Sequence, residues 1–334
     1  MCDKSNTCPS CKTIDLNTNK NYFFTFDVKR SLQELLNVAD VAKDLSQNIK
    51  KRTDRRSNDI SYVEEIFDGK LYKAFRNLEE FDLTGTVNSD GVPCCDSSKF
   101  SVWPFLISLH ELSYYVRRKH TIIAALWFGK EKPVFTTFLK PIVQELNEIS
   151  KQRLSWISDG IPVSSSLVFP LLAADSVTRC SLQGLTQFNG AYGCPTCLEK
   201  GETHWESESS HKWIYKSHNA PKRTHAGFLQ DIGVLRENLV LRANCSSFHA
   251  IKESTPLLLL KTFDIVNGFT FDYMHTVELG TSSKKVYEFD IQTAKTLLYE
   301  FASNVESLYG KSFCSFNVHL LTHAADCVEN WGPL

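Results

Sequence analysis

Two cysteines three positions apart are the clearest metal-binding signal in this chain of 334 residues. Cys194 and Cys197 enclose a proline and a threonine, and two thiolates at this spacing can bind one tetrahedral Zn²⁺ ion. The downstream histidines that could complete a site are His204, His211, His218 and His225. Because His211 and His218 lie closest to zinc-finger spacings, the sequence predicts them as the other two ligands of a structural zinc site. The alternative is a pair of reduced surface cysteines.

The same Cys-Pro-x-Cys spacing occurs at Cys8 and Cys11, with Cys2 close by. No histidine is near it in the sequence, so we interpret it as a possible partial zinc knuckle. Eleven cysteines in a chain without a signal-peptide-like start favour reduced thiols and metal sites over disulfides. No apolar stretch approaches the roughly 20 residues that cross a bilayer, so no membrane partner is expected. These features favour the cytosol or the nucleus.

Basic and aromatic residues alternate between positions 211 and 225, an interval without acidic residues. The residues concerned are Lys212, Trp213, Lys216, Lys222 and Arg223. Cations that release counterions from phosphates, beside rings that stack on bases, suit a nucleic-acid surface. A basic loop covering some other face is the alternative. A second basic run, over 50–56, is either a solvated helix end or a nuclear-localisation or phosphate-contacting patch.

Two aspartates stand directly after predicted β-strands, where carboxylates can bind metal ions. Asp90 lies in the turn signal Asn-Ser-Asp-Gly, and Asp175 follows a near-continuous apolar run. If the two strand ends meet at one sheet edge, the carboxylates can hold two divalent ions about 4 Å apart for in-line phosphoryl transfer. Asp272 and His275 add an acid and an imidazole three positions apart. Their alternative interpretation is a turn with a core histidine.

A small set of elements must position these aspartates. Apolar patterning predicts a helix over 135–154 and four strands, which span 81–89, 100–109, 121–128 and 166–174. The short connections make the first three strands antiparallel, so we expect one mixed sheet with Asp90 and Asp175 at neighbouring strand ends. Such an order begins an α/β fold of the ribonuclease H-like kind, although other α/β folds share it.

Composition is that of an ordinary folded protein, with 42% hydrophobic and 22% charged residues, which excludes disorder for most of the chain. The 37 basic and 38 acidic residues leave a net charge of −1, so any nucleic-acid contact must come from local patches. We divide the chain into a Cys-containing segment 1–20, a helical linker region 21–78, the first part of the core 79–189, a Cys/His-rich insertion 190–260 and a mostly helical continuation 261–334.

Six blocks of residues, in order along the chain, match a known family. They span 90–104, 111–141, 174–197, 271–275, 309–320 and 331–334. Their motifs include Asp-Gly-Val-Pro, Leu-Trp-Phe-Gly, Gly-Ala-Tyr-Gly-Cys-Pro-Thr-Cys, Phe-Asp-Tyr-Met-His and Trp-Gly-Pro-Leu. Together they resemble the CACTA/Mirage/Chapaev superfamily of DNA transposases, specifically its En/Spm-like branch. The resemblance covers roughly residues 60–334.

This resemblance implies a cut-and-paste transposase with a ribonuclease H-like core and an acidic DDE triad. Asp90 corresponds to the first acid and Asp175 to the second, with Mg²⁺ or Mn²⁺ as the catalytic ions. Asp272 and His275 correspond to an Asp-x-x-His element between the second and third acids. The resemblance also implies double-stranded DNA of transposon terminal repeats as the partner, a homo-oligomer in the active state and a nuclear location.

The family's third acid, a glutamate, is expected shortly after the Trp-Gly-Pro-Leu block at 331–334, where this sequence stops. Glu329 precedes that block and does not match the position. We therefore expect a C-terminally truncated, catalytically incomplete member, because losing one carboxylate of a two-metal site costs on the order of 10³-fold or more in rate. The alternative is a non-catalytic, zinc-stabilised remnant that binds DNA or protein.

Overall fold

The structure is a computed structural model, and it describes residues 21–57, 61–75, 78–94, 99–216, 218–240, 246–271 and 285–332. Two groups of residues singled out in the sequence lie outside these ranges. They are the N-terminal cysteines Cys2, Cys8 and Cys11 and the pair Asp272 and His275.

A mixed sheet forms the centre of the fold. The strands are β1 (Tyr22–Thr25), β2 (Tyr62–Val63), β3 (Leu83–Ser89), β4 (Val92–Pro93), β5 (Ser101–Leu109), β6 (Ile122–Gly129), β7 (Leu154–Ser158), β8 (Ile161–Ser165), β9 (Leu167–Ala174), β10 (Glu202–Trp205), β11 (His211–Ile214), β12 (Phe269–Phe271) and β13 (Val286–Tyr287). Within the described ranges, seven of them form one sheet in the order β1-β6-β5-β3-β9-β12, with β4 added to β5.

Strand directions follow the expectation from the sequence. Strand β5 pairs antiparallel with both β3 and β6, whereas β9 runs parallel to β3 and β12 runs parallel to β9. The four predicted strands therefore lie in one mixed sheet with the first three antiparallel. Three short two-stranded pairs lie apart from it, β7 with β8, β10 with β11 and β13 with β2. The fold class is a mixed α/β arrangement.

Helices surround the sheet and dominate the C-terminal part. They are α1 (Val28–Leu36), α2 (Ala39–Ser57), α3 (Lys70–Lys73), α4 (Tyr114–Lys119), α5 (Phe135–Lys151), α6 (Ser176–Gln183), α7 (His225–Val240), α8 (Glu288–Tyr309) and α9 (Phe316–Trp331). The long helix α8 packs against α9. In the part of the chain that the structure describes, no helix combines the length and the apolar character needed to cross a membrane.

Strand β9 is buried on both faces, which explains its near-continuous apolar sequence. Phe169 and Leu172 belong to the main hydrophobic cluster together with the apolar side of α5. Leu171 points the other way and joins a second cluster with Tyr72 and with Trp331 of α9. The sheet therefore has packed layers on both sides, and α9 is anchored to the face opposite α5.

Helices α1 and α2 belong to the main core rather than to a separate linker. Their buried side chains recur at helical spacing and share one cluster with the sheet; they are Val28, Leu32, Leu36, Val41, Leu45 and Ile49. Residues 21–57, which the sequence predicts as part of a linker region, thus complete the layer over the sheet. These two helices therefore share one hydrophobic cluster with β3 and β9, the strands that precede Asp90 and Asp175.

The basic run 50–56 is partly buried. Arg52 is 1% exposed and donates to Glu111 Oε1 at 2.9 Å, to the Tyr72 hydroxyl at 3.1 Å and to the Asp82 carbonyl at 2.8 Å. Arg55 pairs with a neighbouring carboxylate, that of Asp68. A buried guanidinium is stable only with such partners. Two basic residues of the run therefore hold the core together and do not form a phosphate-contacting surface.

Candidate metal centre and acidic strand ends

Four buried donor side chains converge between the Cys/His-rich region and the C-terminal helix. The ligand atoms all lie within 4.8 Å of one another, and they belong to Cys194, Cys197, His319 and His323. His319 and His323 are four positions apart on α9, so the helical repeat places both imidazoles on one face. Two thiols and two imidazoles are a donor set that zinc prefers. The group could therefore hold a metal ion such as zinc.

The sulfur–nitrogen distance within the group fits tetrahedral coordination. Cys197 Sγ lies 3.3 Å from His319 Nε2, and tetrahedral zinc with ordinary bond lengths separates sulfur and nitrogen ligands by about 3.5 Å. The backbone N–H of Thr196 donates to Cys194 Sγ at 3.4 Å, which orients that sulfur within the turn. The Cys-Pro-Thr-Cys turn and α9 thus present their donors toward the same point.

His323 supplies a further argument for a metal. Its Nε2 is buried, and among the described residues it has no hydrogen-bond partner. A buried polar atom without a partner is costly, and such atoms are uncommon in folded proteins. His323 is one of the four donor residues of the group. A metal ion bound through this nitrogen would satisfy it, so the residues present fit zinc.

The pKa values of the two thiols are shifted in opposite directions. Burial alone would raise the pKa of Cys194, but hydrogen bonds from Cys197, His319 and His323 outweigh burial and hold that pKa well below its usual range. Hydrogen bonding to Cys194, followed by burial, raises the pKa of Cys197. The group therefore favours one thiolate next to one thiol, and a cation placed among the donors would favour the loss of the remaining proton.

Arg223 holds the cysteine turn in place. It is 5% exposed, and its Nε donates to the carbonyls of Cys194 at 3.0 Å and Cys197 at 3.1 Å. Its Nη2 donates to the carbonyls of Tyr192 and His249. The prediction that Arg223 contacts DNA is therefore wrong, because its guanidinium is buried and bonded to the backbone around the metal-binding turn.

The histidines beside the thiols differ from the predicted pair. His211 lies on β11 and is exposed, and its ring is tilted by 44° against that of Trp205, with centroids 4.7 Å apart. His218 lies next to the group but behind it, with its Nδ1 3.0 Å from His319 Nδ1. The histidines that the structure brings to the two thiols are His319 and His323, which corrects this part of the predicted site.

The lysines of the predicted DNA surface are paired with carboxylates. Lys212 pairs with Glu206 at 2.5 Å, Lys216 with Glu202 at 3.1 Å and Lys222 with Asp326 at 2.5 Å. The remaining member, Trp213, is half-buried and packs against the cluster that contains the two metal-site cysteines. These lysines are at the surface, and a phosphate partner would have to replace a carboxylate at each of them.

Asp90 and Asp175 follow neighbouring parallel strands. Strands β3 and β9 pair with Asn88 opposite Ala173, so each aspartate stands two residues beyond this pair. Asp90 Oδ1 accepts from the Gly91 N–H at 2.7 Å, and Asp175 Oδ1 caps α6 by accepting from the Thr178 N–H at 2.6 Å. The predicted placement at neighbouring strand ends is confirmed.

Strand β12 adds a third parallel strand beside β9, with Phe271 opposite Ala174. Asp272 follows it in the sequence, and the prediction for Asp272 and His275 lies outside the described residues. Glu329, on α9, pairs with Lys70 and Lys295.

The fold and the site define a mixed α/β protein with a buried Cys₂His₂ group at one place and two aspartates at neighbouring strand ends at another. No protein-family model matches the chain, and no curated protein matches it significantly.

Proposed function

We propose that this protein derives from a DNA transposase of the DDE type and that its sheet is a ribonuclease H-like core. The observation that carries the proposal is the register of β3 and β9, which sets Asp90 and Asp175 at equivalent positions after adjacent parallel strands. The order of elements also supports a ribonuclease H-like core. Three antiparallel strands, β3, β5 and β6, are followed by the helix α5 and then by the parallel strands β9 and β12. The ordered blocks that resemble the En/Spm-like branch give the reaction class.

The ancestral reaction is metal-dependent cleavage and transfer of DNA strands at transposon ends. Asp90 and Asp175 would hold Mg²⁺ or Mn²⁺, which activates the attacking oxygen and stabilises the leaving oxygen. The hydrogen bonds from Gly91 and Thr178 to one oxygen of each carboxylate hold the side chains in fixed orientations, which favours pre-organised binding. In this reaction the protein would contribute the carboxylates of Asp90 and Asp175, held in place at one edge of the sheet.

We propose further that Glu329 is not the third acid of this site. Lys70 and Lys295 engage Glu329, and they help to hold its pKa below the ordinary range although burial alone would raise it. The carboxylate of Glu329 is thus committed to ion pairs that join α9 to α3 and α8, in line with its mismatch to the position of the third acid.

Zinc in the Cys₂His₂ group would be structural. Its ligands come from a turn in the Cys/His-rich region and from α9, two segments that are 122 residues apart between Cys197 and His319. All four ligands are protein side chains and all are buried, so no position is left open for a substrate. A bound ion would therefore connect α9 to the turn that contains Cys194 and Cys197.

A plasmid-nicking assay tests the catalytic proposal. A version of the chain extended to include a glutamate at the family's position should nick supercoiled DNA in Mn²⁺. Asp90→Asn or Asp175→Asn in the extended version should abolish nicking, with Asp159→Asn as a control because Asp159 is a surface residue paired with Lys50. Activity that survives both aspartate substitutions would overturn the assignment of these residues, and no nicking by the extended version would favour a non-catalytic remnant.

Double-stranded DNA is the proposed partner, and salt dependence tests the surface involved. The logarithm of the DNA affinity falls as the logarithm of the salt concentration rises. If Lys212 contacts a phosphate, Lys212→Ala should make this slope shallower by about 0.9. Glu206→Gln, which frees Lys212 from its present partner, should strengthen binding. Equal slopes for the wild type and Lys212→Ala would exclude this residue from the DNA surface.

A further inference from the structure

His218 and His319 meet edge to edge beside the Cys₂His₂ group. Their Nδ1 atoms are 3.0 Å apart, the ring centroids are 5.3 Å apart and the ring planes differ by 23°. In this arrangement the N–H of one imidazole points along the lone pair of the other. Each nitrogen of His319 then has an assigned neighbour, because its Nε2 lies 3.3 Å from Cys197 Sγ.

Metal binding determines which ring donates. A neutral imidazole has one donor and one acceptor nitrogen. His319 Nε2 faces Cys197 Sγ, and a nitrogen that binds a metal ion must offer its lone pair. The proton of a metal-bound His319 is therefore on Nδ1, and the His218 Nδ1 that lies 3.0 Å away must be the acceptor. This is the tautomer that can bind a metal through Nε2.

We infer that His218 is a positioning residue of the metal centre, accepting the Nδ1–H of His319 so that the Nε2 of His319 is available to zinc. The inference rests on the proposed zinc centre and extends it beyond the four ligands. A metal-bound histidine usually gives its second N–H to an acceptor, and removal of that acceptor weakens metal binding about 10–100-fold. Here a second histidine supplies the acceptor, where a carboxylate is more usual.

Packing supports this role. His319 is fully buried, and the Tyr215 ring lies almost parallel to it with centroids 5.5 Å apart. The ring of Tyr299 lies against His218 at 6.2 Å, and its hydroxyl bonds to the neighbouring Asn219. The His218 ring, between Tyr299 of α8 and His319, therefore connects α8 to the metal centre. Sequence reasoning identified His218 as a ligand because spacing cannot distinguish a ligand from the residue behind it.

The test compares zinc affinities by competition with a chromophoric chelator. His218→Leu removes the acceptor and should weaken zinc binding about 10–100-fold. His218→Gln retains an acceptor oxygen and should recover most of the loss. His211→Leu, a substitution at an exposed histidine outside the group, should leave the affinity unchanged. Far-UV circular dichroism of the zinc-saturated proteins checks that all four are folded.

A spectroscopic measurement reports the tautomer directly and does not depend on any variant being stable. In the zinc-loaded wild type, long-range ¹⁵N–¹H correlation should show His319 protonated at Nδ1 and metal-bound at Nε2. The opposite tautomer, or wild-type affinity in His218→Leu, would overturn the positioning role while leaving the zinc centre intact. A wild-type protein that binds no zinc would instead contradict the centre itself, and the inference with it.

Discussion

Cys197 Sγ and His319 Nε2 are 3.3 Å apart although their residues are separated by 122 positions in the chain. Cys197 lies in a turn of the Cys/His-rich region, and His319 lies in the first half of α9, whose far end packs beneath the sheet through Trp331. This contact makes the metal group a long-range connection between two regions of the fold. A bound ion would therefore contribute to folding stability as well as to local order.

Replacing one thiol should remove the metal. The purified, reduced protein should contain about one zinc ion per chain, and Cys194→Ser should lower this content sharply because a neutral hydroxyl is a poor zinc ligand. The control is Cys94→Ser, since Cys94 is exposed and outside the group. Elemental analysis gives the readout. Equal zinc contents in the two variants would rule out Cys194 as a ligand.

Histidine substitutions distinguish the structural ligand pair from the pair predicted by spacing. His319→Ala should abolish tight zinc binding, whereas His211→Ala should leave it unchanged because His211 is exposed on β11. In the cobalt-substituted protein, loss of His319 should also alter the visible d–d bands, which report the ligand set. Zinc loss in His211→Ala together with retention in His319→Ala would restore the predicted zinc-finger arrangement.

Arg223 should be important for stability, unlike the lysines next to it. Arg223→Ala removes a buried cation that bonds four backbone carbonyls, so unfolding by denaturant should show a loss of about 2–4 kcal/mol. Lys212→Ala should change stability by at most about 0.5 kcal/mol, because its ion pair with Glu206 is at the surface. A small effect for Arg223→Ala would show that the turn is held by other contacts.

The structure also explains which predictions the sequence could support. The apolar patterns around Phe169 and in α5 reflect local periodicity, and they located the sheet correctly. The partners of Arg223 and the identity of the histidine ligands depend on how distant segments meet, which periodicity does not encode. One signal was available, the four-residue spacing of His319 and His323 in a predicted helix, a common arrangement for metal ligands.

A buried histidine should make stability depend on pH. His110 lies between the hydroxyls of Thr84 and Thr86, and burial, with a smaller effect from Arg117, lowers its pKa well below the ordinary value. Below pH about 6.5 the unfolded chain gains a proton here that the folded protein does not, so stability is lost as the pH falls, by up to about 1.4 kcal/mol per pH unit.

His110→Gln isolates this effect, because glutamine does not titrate. The difference in unfolding free energy between the wild type and His110→Gln, measured by denaturant titration, should shrink as the pH falls from 7 to 5. Comparing the two proteins at each pH cancels the contribution of metal release, which is common to both. A difference that stays constant over this range would mean that His110 titrates alike in the folded and unfolded states.

The most direct test of the central claim is a Mn²⁺ titration followed by electron paramagnetic resonance on zinc-loaded protein. The account predicts a Mn²⁺ site that Asp90→Asn and Asp175→Asn each weaken strongly, because the two carboxylates at the ends of β3 and β9 bind the ion together. Asp159→Asn should have no effect. Unchanged Mn²⁺ affinity in both aspartate variants would contradict the account.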